Sequence, residues 1–473
     1  MTLVSGSGSA RQIPSSARAV ALSVLAQSVR TEDGVDLLLD REIATNPLDS
    51  RDRALAVELS YGVLRHRGTI DWRLQPVTDK PLRRLPILVQ MILRLGAYQL
   101  LYLDRIPPSA AVNESVQLAK INRRVLGRDW SGLVNAVLRV LLREPARSWP
   151  VDAAKSLAVR HSVPEWLAQR WIDRHGISTA EILSEQASSI PPVTLRVNRL
   201  KVTREELLTT FAQAGIAAKT TAVSPMGIIV QEGGAVSSLP GFQEGAFYVE
   251  DEAAQLIPPL LDPKPGDIIL DACAAPGGKA THLAELMRNE GTVLAIDRKA
   301  GRVDLLRSNK ARLGMSIVAA IVGDIRQPSR WLSSPKMSTD LGQGRAPLID
   351  RILVDAPCSG LGVLRRHPEA KWRKDVQSFS RHQALQLEIL RAVVPCLRPG
   401  GVLVYSTCST EREENEDVIE RFCRLHAGFR RESVSPWLPT SARRFLTELG
   451  DLSTMDNQNS MDGFYAARLK KDE

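Results

Sequence analysis

The chain has 473 residues, of which 44% are hydrophobic and 24% are charged, with a formal net charge of +9. This composition excludes a disordered or fibrous protein and leaves room for two or three folded domains. The first residues lack the basic head and apolar stretch of a signal peptide, and no apolar run has the length of a membrane-spanning helix. We therefore expect a cytoplasmic protein that makes no use of a membrane, with a disordered tail at residues 1–14.

Residues 15–147 carry apolar side chains at helical spacing almost throughout, as in 88–93 and 133–138, which predicts an all-α domain. Residues 1–150 hold 21 Lys and Arg against 14 Asp and Glu, so most of the net charge lies here. A basic excess suits a polyanion such as RNA. A solvated helical face would explain the same charge equally well.

Three stretches of this region, 51–56, 61–65 and 132–139, resemble the helical RNA-binding domain of NusB-type antitermination factors. The resemblance covers most of the first 145 residues and implies that a NusB-like domain binds RNA. Periodicity does not show this role, because another helical bundle would share much of the pattern.

Residues 148–248 are predicted to form a helical linker and a small α+β module. Helical patterns continue to about residue 187, and residues 188–192 have the composition of a linker. Residues 193–197 then alternate like a strand, and Thr203 with Glu206 three positions on has the signature of a helix capping box.

Residues 249–473 alternate strand and helix patterns, which predicts a doubly wound, Rossmann-like α/β domain. The strand patterns lie at 268–270, 293–296, 317–322, 352–354 and 402–405. Residues 464–469 are predicted to form an edge strand. The segment 333–347, rich in Ser, Pro and Gly, is predicted to be a surface loop.

The first strand of this domain runs into a glycine-containing turn at residues 271–279. Gly277 and Gly278 would let the backbone approach a ligand, and the next helix would offer free N–H groups to a carboxylate or phosphate. The turn is neither a P-loop nor a GxGxxG fingerprint, which disfavours ATP. Asp297 and Asp324 end the next two strands, where they could meet ribose hydroxyls and an adenine amino group. Together these strand ends predict a nucleoside pocket.

All five cysteines follow residue 270, and none forms a CxxC pair, which disfavours a disulfide framework and a metal site. Cys396 and Cys423 lie in helical patterns and fit small buried hydrophobic residues. Cys358 and Cys408 instead follow the strands at 352–354 and 402–404. Because ligands bind at the carboxyl ends of the strands, both thiols are candidates for one cleft. Burial at a strand end is the alternative, but small polar residues surround each cysteine.

The segment 364–374 packs six Lys, Arg or His residues around one Trp. Cations for phosphates and a ring for base stacking favour contact with single-stranded or flipped-out RNA. A surface loop with a half-buried Trp is the alternative. The residues predicted to contact RNA are Arg365, Arg366, His367, Lys371 and Trp372.

Four segments in this order, 271–279, 355–362, 365–372 and 406–409, resemble the RNA 5-methylcytosine methyltransferases. Because a NusB-like region precedes these segments, the chain is similar to the bacterial RsmB (Sun/Fmu) type, which modifies small-subunit (16S) ribosomal RNA. The resemblance implies S-adenosyl-L-methionine as cofactor and ribosomal RNA as the preferred partner, and we expect a monomer. The residues that it implies for the cofactor are Cys273, Ala274, Ala275, Pro276, Gly277, Gly278, Lys279, Asp297, Arg302, Asp324 and Asp355.

The resemblance also implies different tasks for the two thiols. Cytosine C5 is too poor a nucleophile to take a methyl group directly, so a thiolate must first add at C6, and the C5 proton must later leave. By resemblance, Cys408 attacks, Cys358 assists the elimination, and Asp355 holds the cytosine N3 and amino edge. Lys279 could favour a thiolate or bind the cofactor carboxylate, and its role stays open.

Two alternatives remain. The same chemistry could act on transfer RNA or large-subunit ribosomal RNA, because the catalytic motifs do not encode the target. A non-catalytic RNA-binding factor of the NusB type would need neither the two thiols nor the glycine turn, and their presence counts against it.

Overall fold

The computed structural model describes residues 16–145, 147–232, 234–327, 349–455 and 461–473. The predicted tail at 1–14 and the predicted loop at 333–347 lie outside these residues. The chain divides into two compact units. The first extends to Ile190 and includes Leu364–Arg373, and the second comprises Pro191–Val363 and Lys374–Glu473. The domain limits at residues 147 and 248 stay predictions.

The first unit is built of helices, as the spacing of its apolar residues predicts. Its helices are α1 (Ala17–Ser28), α2 (Val35–Thr45), α3 (Ser50–Arg65), α4 (Arg67–Leu74), α5 (Ile87–Tyr102), α6 (Pro108–Ile121), α7 (Arg123–Leu126), α8 (Ser131–Arg143), α9 (Ala153–Arg160) and α10 (Glu165–Ser188). α5 is buried along most of its length, and apolar side chains of the neighbouring helices form a core around it. Side-chain caps fix three helix starts, because Ser16 accepts the Ala19 N–H, Asp49 accepts the Asp52 N–H and Asp152 accepts the Lys155 N–H.

The second unit begins with a small antiparallel sheet. Its strands are β1 (Val193–Val197), β2 (Ala217–Thr220), β3 (Gly227–Glu232) and β4 (Phe247–Val249), in the order β2-β3-β1-β4. Helix α11 (Arg204–Gln213) contributes Leu207 and Phe211 to the core of this module. The predicted capping box is present, with reciprocal hydrogen bonds between Thr203 and Glu206. The small α+β module is thus confirmed.

The rest of the second unit contains the predicted doubly wound sheet. The strands are β5 (Ile268–Asp271), β6 (Thr292–Asp297), β7 (Val318–Val322), β8 (Ile349–Asp355), β9 (Leu397–Thr407), β10 (Phe429–Glu432), β11 (Leu452–Ser453) and β12 (Tyr465–Lys471). The helices are α12 (Glu252–Gln255), α13 (Gly278–Leu286), α14 (Ala300–Leu313), α15 (Gln377–Val393) and α16 (Glu416–Leu425). The order is β10-β12-β9-β8-β5-β6-β7, with β11 paired to β12, and β5 to β9 run parallel.

The last strand, β12, lies inside this sheet, which corrects the prediction of an edge strand at 464–469. It pairs antiparallel with β9 on one side and β10 on the other. Strand β10 takes the place beyond it, and its sequence Phe-Arg-Arg-Glu lacks the apolar alternation that marks a strand. Full burial of Tyr465 and Ala467 agrees with the interior position of β12.

The strand order reverses its direction at β5. The chain passes from β5 to β6 and β7 on one side, and then returns to β8 and β9 on the other side. Ligands of open α/β sheets bind at such a switch point, outside the carboxyl ends of the strands. The segments that follow β5, β6, β8 and β9 therefore share one edge of the sheet.

Candidate active site

The turn after β5 favours glycine at two positions, one because of its backbone conformation and the other because of crowding by neighbouring side chains. Gly277 has a φ of 107°, in the left-handed region. A Cβ atom on Gly278 would lie 2.8 Å from Glu250 Oε1 and 2.9 Å from Tyr248 Cε1. The turn therefore brings its backbone close to its neighbours immediately before α13 begins.

Two of the predicted cofactor acids lie at the ends of the paired strands β6 and β7. Asp297 is 8% exposed and lies 3.7 Å from Arg302, which also donates to the Ala275 carbonyl oxygen in the glycine turn. Asp324 pairs with Arg326 at 2.7 Å, and this hydrogen bond lowers the pKa of the Asp324 carboxyl. The structure thus joins Asp297 to the turn through Arg302, whereas Arg326 already binds Asp324.

The two thiols singled out by sequence lie side by side. Cys358 Sγ and Cys408 Sγ are 3.3 Å apart, close enough for an S–H hydrogen bond to sulfur. The cause is the parallel pairing of β8 and β9, which sets Asp355 opposite Ser406 and lets both cysteine segments leave the sheet at the same edge. The structure brings the thiols together, and their individual roles stay predictions.

Two thiols of this region resist ionisation. The hydrogen bond with Cys408, followed by burial, raises the pKa of the Cys358 thiol well above its usual value, and the charge of Glu414 adds to the effect. Burial, with the nearby charges of Asp271 and Asp355, raises the pKa of Cys273 in the glycine turn. Burial therefore opposes formation of the thiolate at Cys273.

An ion pair lies between the glycine turn and the first cysteine segment. Lys279 Nζ donates to Asp355 Oδ2 at 2.7 Å, and Ser406 Oγ donates to Asp355 Oδ1 at 2.8 Å. Burial alone would lower the pKa of Lys279, but the charge of Asp355 and the hydrogen bond to it outweigh burial and raise that pKa. Cys408 contributes in the same direction. Lys279 is therefore a cation that interacts electrostatically with Cys408.

Sequence reasoning missed two buried acids near these groups. Asp271, the last residue of β5, is completely buried, and burial together with the charge of Asp355 raises its pKa to about 8. Glu414 is also completely buried and accepts hydrogen bonds from Ser359 and Ser409. The position of Asp271 at the start of the turn could have revealed it. Glu414 gave no signal, because the charged run 411–416 has the composition of a solvated surface.

Part of the segment predicted to contact RNA packs inside the first unit instead. Lys371 is 1% exposed, and its ammonium group donates to a backbone carbonyl oxygen at the end of α3 at 3.0 Å. The indole N–H of Trp372 donates to the preceding carbonyl oxygen of α3 at 3.1 Å. The burial of Lys371 corrects its predicted placement on an RNA-facing surface. Trp372 is half-buried, and its contact with RNA stays a prediction. Arg365 is buried, Arg366 is half-buried and His367 is exposed, and their contact with RNA stays a prediction.

Within the ranges that the structure describes, no group of three or more His, Cys, Asp or Glu side chains is arranged to hold a metal ion. No helix in these ranges is both long and apolar enough to cross a membrane.

Three family models match the chain. The model described as 16S rRNA methyltransferase RsmB/F matches residues 258–470, and the NusB family model matches residues 15–143. A ferredoxin-like domain model of RsmF/B-like methyltransferases matches residues 163–237. The matches agree with the N-terminal all-α region, the small α+β module and the α/β domain described above.

Relatives and solved structures extend over most of the chain. The probable ribosomal RNA small subunit methyltransferase B of Bacillus subtilis (strain 168) is 36% identical over 459 residues, which cover 96% of this chain and 99% of the relative. The ribosomal RNA small subunit methyltransferase B of Pasteurella multocida (strain Pm70) is 37% identical over 456 residues, 96% of each chain.

A solved structure described as PH0851 has a TM-score of 0.80 at 24% identity, covers 97% of this chain and 99% of that chain, and supports the fold. A methyltransferase homolog protein from Pyrococcus horikoshii has a TM-score of 0.55 at 28% identity and covers 68% of this chain and 100% of that chain. The chain thus belongs to the RsmB/F family of methyltransferases, which use S-adenosyl-L-methionine, and carries a NusB-type domain before the methyltransferase domain.

Proposed function

We propose that this chain methylates C5 of a cytosine in RNA, with small-subunit (16S) ribosomal RNA as the preferred substrate. The observation that carries the proposal is the 3.3 Å separation of Cys358 Sγ and Cys408 Sγ. Methylation at C5 needs one group that adds to the ring and another that helps to release it. Two adjacent thiols at the ligand-binding edge of the sheet meet this requirement.

Cys408 is the attacking thiol in this proposal. Its sulfur forms a bond to cytosine C6, which makes C5 electron-rich, and the Lys279 cation interacts electrostatically with Cys408. S-adenosyl-L-methionine, when bound, supplies the methyl group. The C5 proton then leaves, the C–S bond breaks, and the electron pair returns to the Cys408 sulfur.

Cys358 assists this release. Its hydrogen bond to Cys408 and the charge of that neighbour oppose its ionisation in the free protein. Once the Cys408 sulfur is bonded to C6, its charge no longer opposes the ionisation of Cys358, so the Cys358 thiol can release its own proton to solvent. The resulting Cys358 thiolate then accepts the C5 proton at the stage when that proton must leave.

Asp355 is proposed to bind the N3 and amino edge of the cytosine. As Cys408 adds to C6, negative charge builds on the ring and N3 takes up a proton from solvent, which it returns when the sulfur is expelled, and a carboxylate stabilises the N3–H group in between. Hydrogen bonds from Lys279 and Ser406 hold the two Asp355 oxygens in fixed directions. We therefore assign Lys279 to orienting Asp355.

The glycine turn fits the cofactor. Gly278 leaves no room for a side chain, and a backbone of this kind can approach a ligand closely. We propose that residues 273–279 and Arg302 bind the methionine portion and that Asp297 accepts the ribose hydroxyls. Asp324 binds the adenine amino group through a carboxylate that Arg326 also holds.

The choice of ribosomal RNA rests on the relatives named ribosomal RNA small subunit methyltransferase B. RNA binding by the NusB-type domain is supported by the basic excess of residues 1–150. Transfer RNA or large-subunit ribosomal RNA as substrate would use the same site. We infer a cytoplasmic location, because free thiols at the site need a reducing compartment.

Bisulfite sequencing of total RNA from cells with and without this gene tests the substrate. We expect one cytosine of 16S ribosomal RNA to lose its protection from conversion when the gene is absent. Loss of protection in a transfer RNA or in large-subunit RNA would replace the substrate, and unchanged protection throughout would contradict the activity.

A further inference from the structure

Each of the two cysteines is followed by a serine, and both serines bind one buried carboxylate. Glu414 and Ser409 are completely buried, and Ser359 is 2% exposed. Both serine hydroxyls donate to Glu414 Oε2, and the hydroxyl oxygens are 3.0 Å apart. The Ser359 N–H donates to Glu414 Oε1 at 2.8 Å. We call Glu414, Ser359 and Ser409 the carboxylate clamp.

Further contacts fix the carboxylate clamp in place. Gln386 Nε2 lies 3.4 Å from Glu414 Oε1 and donates at 3.0 Å to the carbonyl oxygen of Pro357, the residue before the first thiol. His382 Nδ1 lies 3.2 Å from the same carboxylate oxygen. The Tyr405 hydroxyl donates to the Glu414 carbonyl oxygen at 2.5 Å. Glu414 is thus held through its backbone as well as through its side chain.

The cost of burying Glu414 suggests a purpose beyond packing. A carboxylate that leaves water is unfavourable unless hydrogen bonds replace its hydration, and an apolar side chain is often a less costly choice. Here one carboxylate accepts hydrogen bonds from the residues that follow two different strands, β8 and β9. Catalytic groups must be held within about 0.5 Å of their productive positions, and a charged acceptor with several donors provides such restraint.

We propose that Glu414 is a positioning residue that, through Ser359 and Ser409, holds Cys358 Sγ and Cys408 Sγ at the separation at which both thiols act on one cytosine. This inference rests on the roles proposed above for the two thiols. The separation itself can be measured without catalysis, so the two proposals can fail separately.

The first experiment measures how readily the two thiols pair in Glu414→Gln. The purified full chain is equilibrated with reduced and oxidised glutathione, and the Cys358–Cys408 disulfide is quantified by peptide mapping. One oxidised glutathione is reduced to two thiols for each protein disulfide formed. The matched control is Glu420→Gln, which removes the same charge from an exposed site on α16.

We expect Glu414→Gln to lower about tenfold the effective concentration of one thiol at the other in disulfide formation, since small displacements strongly affect intramolecular reactions. Glu420→Gln should leave this effective concentration within about twofold of the wild-type value. Loss of the Glu414 charge should also ionise Cys358 more easily and speed its alkylation by a reagent that attacks one thiol. If Cys358 is alkylated faster and yet forms less disulfide with Cys408, a less reactive Cys358 thiol cannot explain the weaker pairing. A wild-type effective concentration in Glu414→Gln would overturn the proposal, and so would a wild-type chain that forms no such disulfide.

The second experiment measures addition to the base. RNA that contains 5-fluorocytosine should trap the covalent adduct, because fluorine cannot leave C5 as a proton does. We expect Glu414→Gln to form the adduct about 100-fold more slowly, with unchanged affinity for S-adenosyl-L-methionine by calorimetry. An equal loss of cofactor affinity, or a wild-type rate, would overturn the positioning role. Adduct formation by Cys408→Ala would instead overturn the proposed function.

Two milder variants keep the test decisive if Glu414→Gln does not fold. Ser359→Ala and Ser409→Ala each remove one hydroxyl donor and leave the carboxylate its other partners. We expect each to weaken thiol pairing and slow adduct formation by a smaller factor. Wild-type values for both measurements in both variants would contradict the carboxylate clamp.

Discussion

Lys279 Nζ donates to Asp355 Oδ2 at 2.7 Å, and this ion pair joins the glycine turn after β5 to the cysteine segment after β8. The lysine comes from the cofactor turn, and the aspartate precedes the first thiol by three residues. In the proposed mechanism, one hydrogen bond therefore connects the turn that binds the cofactor to the acid that binds the base. Lys279 also interacts electrostatically with Cys408, the proposed nucleophile.

Lys279→Met should therefore impair addition to the base. The variant loses a cation and one of the hydrogen bonds that orient Asp355. We expect the adduct with 5-fluorocytosine RNA to form about 100-fold more slowly. Adduct formation at the wild-type rate would contradict this role.

Gly278→Ala should weaken cofactor binding. The added Cβ would lie 2.8 Å from Glu250 Oε1 and 2.9 Å from Tyr248 Cε1, so either these packed side chains or the turn must shift. We expect affinity for S-adenosyl-L-methionine to fall about tenfold or more, measured by calorimetry. Gly301→Ala is the matched control, because a Cβ at that position in α14 meets open space. Equal affinities in the two variants would argue against a close-fitting turn.

Asp271 should make the stability of the protein depend on pH. Its folded pKa of about 8 lies above the ordinary value of about 3.9, so the folded state holds the proton more tightly than the unfolded state. Stability from this group is therefore present at low pH and is lost as pH rises from about 4 to about 8.

Asp271→Asn removes this loss of folding stability at high pH, because a neutral amide occupies the buried position at every pH. We expect its Tm to exceed that of the wild type by at least about 2 °C at pH 8, with a smaller difference at pH 5. Scanning calorimetry at both pH values checks this. Asp304→Asn, at an exposed position on α14, should show no such trend. A Tm difference that did not depend on pH would contradict the buried, protonated state of Asp271.

Lys371→Met should leave RNA affinity unchanged. The Lys371 ammonium is buried against α3 and neutralises no phosphate. Arg366→Met, at a position still predicted to contact RNA, should reduce the slope of log affinity against log salt by about 0.7. Filter binding at several salt concentrations measures both slopes. A reduced slope in Lys371→Met would show that this segment leaves α3 when RNA binds.

The sequence predicted the elements and the edge of the sheet where the site lies, because periodicity and strand ends are local features. Cys358 and Cys408 could be assigned to one edge from the apolar strands before them. The burial of Glu414 could not be predicted, since it depends on Ser359, 55 positions away in sequence, as well as on the nearby Ser409. The packing of Lys371 and Trp372 against α3 likewise depends on residues some 300 positions away in sequence. Only tertiary structure brings such groups together.

The β12 prediction failed for a related reason. Its apolar sequence marked it as a strand, but whether a strand is an edge depends on its neighbours. Strand β10 has too few apolar residues to be recognised, and it covers β12 on the outer side. Local patterns identify a strand, and only pairing decides its position in the sheet.

The central claim is that Cys408 adds to the cytosine and Cys358 helps to release it, and Cys358→Ala tests it most directly. The variant is incubated with 16S ribosomal RNA and S-adenosyl-L-methionine, separated on a denaturing gel, and mapped by mass spectrometry, with Cys408→Ala as control. We expect a denaturation-resistant adduct in which a methylated cytosine is bonded to the Cys408 peptide, and neither an adduct nor methyl incorporation in Cys408→Ala. Normal turnover of Cys358→Ala without an adduct, or attachment to another residue, would contradict the claim.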